Sequence, residues 1–289
     1  MATLRDIKRR IKAVQSTSKI TKAMKMVAAS KFRKAQQRMF ELRPYAEKMA
    51  DVLSSLSNGA DSEIHPLLAV RKVKNVEVLV ITSDRGLCGA FNSNILKAAA
   101  KHIAQLRNEG FEVTITAVGR KAREYYKRRN IQPNKSWTGI SGKISYANAQ
   151  EIAGQIIENY TNESVDEVFL AYNEFKSAAA QKVVVSKLLP LAPIEHTQET
   201  LPVFNFLYEP SEQEIFTRLI PKNVEIQIFR ALLESQASEE AARMAAMENA
   251  TKAANDMIEI LSLQYNKARQ ASITKELMDI VGGVEALKG

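Results

Sequence analysis

Apolar residues Leu4, Ile7, Ile11 and Val14 recur at steps of three and four, the spacing of a helix with one stripe for a partner helix. The polar cluster Ser16-Thr17-Ser18 thins the stripe, which resumes through Ile20, Met24 and Ala28. It then runs through Phe32, Ala35, Met39, Leu42, Ala46, Met49, Leu53 and Leu56. Pro44 lies inside it and is expected to bend the helix, because proline removes a helical hydrogen bond and crowds the preceding turn. Asn58-Gly59 supplies a stop signal, so the first segment spans residues 1–58.

From residue 70 to residue 208 the period changes. The runs "VEVLVITS", "EVTITAVG", "DEVFLAYNEF" and "QKVVVSKLL" read as strands. Helical patterns over 92–108, 120–129 and 145–160, the last with Ser145 as N-cap, separate the first three runs. Such alternation predicts an α/β layer domain with a mainly parallel sheet. The helical period returns over 211–289 through Ala254, Ile258, Leu261, Tyr265, Ala268 and Ser272, continuing to Leu277, Ile280 or Val281, Val284 and Leu287. Pro221 interrupts its start, and Gly282-Gly283 weaken its end by about 1 kcal/mol each.

Length now constrains arrangement. At 1.5 Å per residue the first helix spans about 80 Å and the last about 110 Å, whereas a 130-residue α/β domain is only about 35–40 Å across. Each helix has one stripe to bury, and the simplest partner for each is the other, in an antiparallel coiled coil whose longer C-terminal strand overruns at the tip. A folded-back bundle, with breaks at Pro44 and Pro221, is the alternative.

Charge singles out one element. The net charge of +9 is carried by residues 1–48, which hold 14 Lys/Arg against Asp6, Glu41 and Glu47. The stretch "KITKAMKMVAASKFRKAQQR" (19–38) has seven basic residues and no acidic one. Nucleic acid, an anionic membrane surface, an acidic protein and plain solvent are its possible neighbours. Only Phe32 is present to stack on a base. The amino terminus has the Arg- and Ser-rich look of a transit peptide, but its spacing runs on into the long helix with no cleavage site.

Catalytic signals are weak. "VITSDRGLCGAFN" joins a strand to a helix, where α/β proteins bind phosphate, yet Gly86-x-x-Gly89 lacks both the dinucleotide and the P-loop fingerprints. A tight βα turn is expected, with Asp84 and Arg85 bracing it or facing a neighbouring subunit. Cys88 is the only cysteine, which excludes an intramolecular disulfide, and His65, His102 and His196 are scattered. No metal-ligand spacing or paired carboxylates occur, so no catalytic, cofactor or metal site is expected.

The motifs "KITKAMKMVAASKFRKAQQRM", "RPYAE", "SDRGLCGAFN", "LYEP", "SEEAARMAAMENAT" and "YNKARQASITKEL", in this order, resemble the gamma subunit of F-type ATP synthases, in its bacterial form. The likeness spans Leu4 to about Val281. It lacks the chloroplast form's regulatory cysteine pair, so thiol control is not expected. The resemblance implies a long antiparallel coiled coil with a central Rossmann-like α/β domain. It implies a non-catalytic rotor at the inner membrane, with alpha, beta and epsilon subunits and the c-ring as partners. By the same resemblance Met24, Arg243, Arg269, Gln270, Thr274 and Glu276 meet the beta subunits, and Tyr208 and Glu209, with Asp84 and Arg85, belong to the foot facing epsilon and the c-ring.

Overall fold

The computed structural model describes residues 3–57, 65–177, 180–191 and 212–286. Helix α1 (Leu4–Ser57) starts where Thr3 and Asp6 cap each other: the Asp6 N–H donates to Thr3 Oγ1 (3.2 Å) and the Thr3 N–H to Asp6 Oδ2 (3.3 Å). It runs unbroken past Pro44, and α5 (Glu212–Ala286) runs unbroken past Pro221, so neither proline breaks its segment into a bundle. The chain divides into two compact units, residues 28–243 and residues 1–27 with 244–289, and both long helices contribute to each.

The larger unit is built on a five-stranded sheet ordered β3-β2-β1-β4-β5. Its strands are β1 (Asn75–Ile81), β2 (Glu112–Val118), β3 (Lys135–Trp137), β4 (Glu167–Phe175) and β5 (Gln181–Leu189). β1 pairs parallel with β2 and β4, β2 pairs parallel with β3, and β5 closes the edge antiparallel to β4. β1 reads "NVEVLVI", a continuous run with no alternation, because a central parallel strand is covered on both faces. The interior Glu77 in this run is held by Thr116 Oγ1 (2.5 Å) and Asn159 Nδ2 (3.2 Å).

Helices α2 (Phe91–Asn108) and α3 (Arg120–Lys127) cover one face. The other face carries α4 (Tyr146–Thr161) with the parts of α1 and α5 that belong to this unit. Ser145 begins α4 as its N-cap, its N–H donating to Asn148 Oδ1 (2.9 Å). The three-residue β3 and a short 3-10 turn at Pro66–Leu68 were not legible, being too short to show a period. Asp166 Oδ2 accepts from the N–H groups of Lys74 and Asn75 (2.9 Å each), tying the start of β1 to that of β4.

In the smaller unit, three contacts fix how the helices pair. Ser18 Oγ donates to Asn255 Oδ1 (2.8 Å), Thr21 and Thr251 share a hydroxyl bond (2.7 Å), and Lys25 Nζ reaches Glu248 Oε1 (2.6 Å). Numbers rise along α1 as they fall along α5, so the pair is antiparallel. Ala254, Ile258, Leu261, Tyr265, Ala268 and Ser272, the stripe read from the sequence, are all buried or half-buried. On α1 the reading needs correction at Ile20, which is 59% exposed. The stripe passes instead through Ser18 and Thr21, whose hydroxyls meet polar partners on α5. A polar layer that satisfies itself can replace an apolar one, and a hydrophobicity pattern does not register it.

Candidate functional site

In a doubly wound sheet, ligands bind outside the carboxyl ends of the strands, where the order reverses. Here the reversal lies between β1 and β4, and α5 is hydrogen-bonded to the end of β4 and to the segment after β3. Ser238 Oγ donates to the carbonyl of Asn173 near the end of β4 (3.3 Å). Ser141, in the segment after β3, donates its Oγ to Glu239 (2.7 Å).

Beneath α5 the strand ends are bound to one another. The Asp84 carboxylate accepts the N–H groups of Arg120 (2.9 Å), Gly139 (3.0 Å) and Ser141 (3.0 Å). It sits at the N-terminus of α3, the place an anionic ligand takes in such folds. At Gly119, with φ +93°, a side chain would come 2.2 Å from the Thr82 carbonyl, so only glycine fits the turn into α3. Asp84 is therefore buried and braces the turn, whereas Arg85 is exposed. Cys88 is buried and takes a bond from Asn92 Nδ2 (3.2 Å). Burial pushes its thiol up, away from the thiolate a nucleophile needs.

Every residue of α5 from Ala231 to Ala241 is buried. This collar includes three carboxylates, and a buried charge must be paired. Glu234 accepts from Arg230 Nε (2.8 Å). Arg243 bonds Glu239 (2.5 Å) and forms an ion pair with Glu240 (2.8 Å), and Lys31 lies 3.9 Å from Glu240. Burial pushes the Glu239 carboxyl up, against the pull of Arg243. Tyr172, desolvated beside Glu234, is pushed up to about 12. Arg243 thus has 10% of its side chain exposed and lies within the collar. The sequence carries a signal for these ion pairs, since Glu239 and Glu240 stand four and three residues before Arg243 on one helix face.

The other candidate residues lie on the helix pair. Met24 is half-buried, and Arg269, Gln270, Thr274 and Glu276 are exposed. Carried to Leu4, the pairing register ends opposite residue 269 or thereabouts, where α1 has no more turns to offer. Beyond it, among the described residues, nothing covers α5: residues 273–284 are all exposed, Ile273, Leu277, Met278, Ile280, Val281 and Val284 among them. Thr274 Oγ1 bonds the Gln270 carbonyl (2.9 Å) and Ser272 Oγ the Glu276 carboxylate (3.3 Å), so these polar side chains are held along the helix. Tyr208 and Glu209 lie outside the described residues.

Among the described residues, three of the seven cations of the 19–38 stretch have partners within the chain: Lys25 on Glu248, Lys31 near Glu240, and Arg38 on the Ile144 carbonyl (2.7 Å). Lys19, Lys22, Arg33 and Lys34 are exposed. Among the described residues no helix is long and apolar enough to cross a membrane.

Comparison with known proteins gives one answer from sequence and from structure. A family profile described as ATP synthase matches residues 3–287. The ATP synthase gamma chain of Anaeromyxobacter sp. (strain K) is 49% identical over 291 aligned positions, covering 100% of both chains. That of Geobacter metallireducens is 46% identical over 289 positions, again covering 100% of both. In the central stalk and c-ring of the Tetrahymena thermophila mitochondrial ATP synthase, one chain is 29% identical with a TM-score of 0.59, covering 80% of this chain and 99% of that one. The Euglena gracilis mitochondrial enzyme in rotational state 3 contains a chain of the same fold, with a TM-score of 0.67 at 21% identity over 98% and 94% of the two chains.

Proposed function

The chain belongs to the ATP synthase gamma-chain family, and from that premise we propose that it is the central-stalk rotor coupling ion-driven c-ring rotation to conformational change at the beta subunits. The observation that carries this reading is the exposed apolar run of α5 over 273–284. A water-soluble helix does not keep such a row uncovered, and a surrounding ring of alpha and beta subunits supplies the cover. The chain then acts as a non-catalytic part of the enzyme. Where its fold would hold a ligand, the end of β4 and the segment after β3 hydrogen-bond α5.

In this reading residues 1–58 and 211–289 form the shaft and residues 70–208 the foot. Met24, Arg269, Gln270, Thr274 and Glu276 face the beta subunits, and a guanidinium such as that of Arg269 makes charge-assisted, bidentate bonds to their carboxylates. Arg243 belongs to the same set by the resemblance, and it acts there indirectly, by pairing with the buried Glu239 and Glu240. The foot, with Tyr208, Glu209, Asp84 and Arg85, meets epsilon and the polar loops of the c-ring. In that foot Asp84 acts by bracing and Arg85 by its exposed charge. The protein sits on the cytoplasmic side of the bacterial inner membrane, peripheral and held through the c-ring alone.

Reconstitution tests it. Mixed with purified alpha and beta subunits, the chain assembles an active ATPase. Arg269→Ala lowers coupled synthesis and hydrolysis while the isolated protein keeps its helix content. Failure to assemble refutes the rotor reading, and an unchanged rate in the assembled enzyme refutes the role of Arg269.

A further inference from the structure

On the sheet face away from the collar, α2 and α3 leave a groove that the rotor reading does not use. It contains two clefts, of about 290 Å³ and 380 Å³, which share Ala100 and Tyr125 as their common wall. Together they fall in the size range of small-molecule sites, about 300–1,000 Å³. The smaller is floored by Ile103, Ile115 and Ile131 and rimmed by Arg107 and Arg129. In the larger, Leu96 adds apolar surface and Lys97, Lys121 and Arg128 line the edge.

The charge is one-sided. Lys121 has Glu124 at 3.4 Å, but among the described residues no carboxylate pairs with Lys97, Arg107, Arg128 or Arg129. The Arg129 guanidinium is stacked 3.6 Å over the Tyr125 ring and donates to the Tyr125 carbonyl (3.3 Å), which fixes it at the rim. Tyr126, 2% exposed, lines the smaller cleft, and its hydroxyl has no hydrogen-bond partner. A buried donor left unsatisfied is costly, and a site that leaves one is short of an acceptor.

We propose that the α2–α3 groove binds a small anionic amphiphile, a single-chain carboxylate or phosphate whose head lies between Arg107 and Arg129 and whose apolar stem covers Ile103, Ile115 and Ile131. The head supplies the acceptor that the Tyr126 hydroxyl lacks. An acidic peptide shares the charge but brings no stem to fill a pocket floored by three isoleucines. The assignment does not depend on the rotor reading, since all its residues are in α2, β2, α3 and the turn after α3.

Calorimetric titration of the full chain with decanoate and decyl phosphate, both below micelle formation, tests it. Both bind, and decanol and inorganic phosphate bind at least about tenfold more weakly, the loss of one charge-assisted hydrogen bond or of the apolar contact. Arg107→Gln weakens binding about tenfold. Tyr126→Phe weakens it severalfold yet leaves the thermal midpoint unchanged or higher, because it deletes a hydroxyl with no partner, an outcome that a merely structural role would reverse. Vesicles of anionic phospholipid are not bound. Decanol binding as tightly as decanoate overturns the proposal. So does wild-type affinity in both variants, vesicle binding that Arg107→Gln abolishes, or capture of an acidic amphipathic peptide without either amphiphile.

Discussion

Helix α5 carries two surfaces of opposite fate. From Ala231 to Ala241 every position is buried, including Glu234, Glu239 and Glu240; from 273 to 284 every position is exposed, including Leu277, Ile280 and Val281. Composition alone would assign them the other way round. The collar can bury charge because the chain brings it partners: Arg230, Arg243, Lys31 and the Ser141 hydroxyl. Among the described residues the distal turns are uncovered, since the register sets Leu4, the first residue of α1, opposite about residue 269. Hydrophobicity reports a need for cover; the register of the helix pair decides whether the chain itself meets that need.

The sharpest way to break this contrast is to unpair the collar. Arg243→Ala leaves two buried carboxylates facing each other, and stability falls by about 3 kcal/mol, the low end for removing one partner of a buried pair. Denaturant unfolding of the isolated chain measures it. No loss would mean that Arg243 serves only a partner subunit. A steric probe comes next: Ala237→Leu, at a position with no exposure, costs about 1–3 kcal/mol by overpacking, whereas Ala253→Leu, on the open side of the helix pair, stays within about 0.5 kcal/mol. Equal effects at the two sites would erase the distinction between gripped and offered turns.

The smallest effect concerns the polar layer. Thr21→Val leaves Thr251 Oγ1 its bond to the Met247 carbonyl (2.7 Å), so the cost is about 1 kcal/mol or less, and changing both threonines to valine recovers it. A double-mutant cycle followed by thermal unfolding checks the recovery.

That layer also marks where the sequence stopped being readable. The period of three and four placed both long helices and the α5 stripe from Ala254 to Ser272, because one-sided burial imposes that spacing. It chose Ile20 over Thr21 because it counts apolarity, and a pair of matched hydroxyls is invisible to it. The sheet was legible where strands are buried on both faces, as in β1, and illegible in the three-residue β3. Asp84 could be narrowed to bracing or facing a subunit; only the three N–H groups that converge on it select bracing. The ion pairs of the collar had a signal in the spacing of Glu239, Glu240 and Arg243, but its burial had none, since "ESQASEEAAR" has the composition of a solvated helix face and is buried by segments far away in sequence.

Amide hydrogen exchange, read along α5 in the isolated chain and again after assembly with alpha and beta subunits, tests the central claim most directly. The account predicts slow exchange over 231–241 in both states, and over 270–286 fast exchange in the free chain with strong protection in the assembly. Equal exchange over 270–286 in the two states would contradict it.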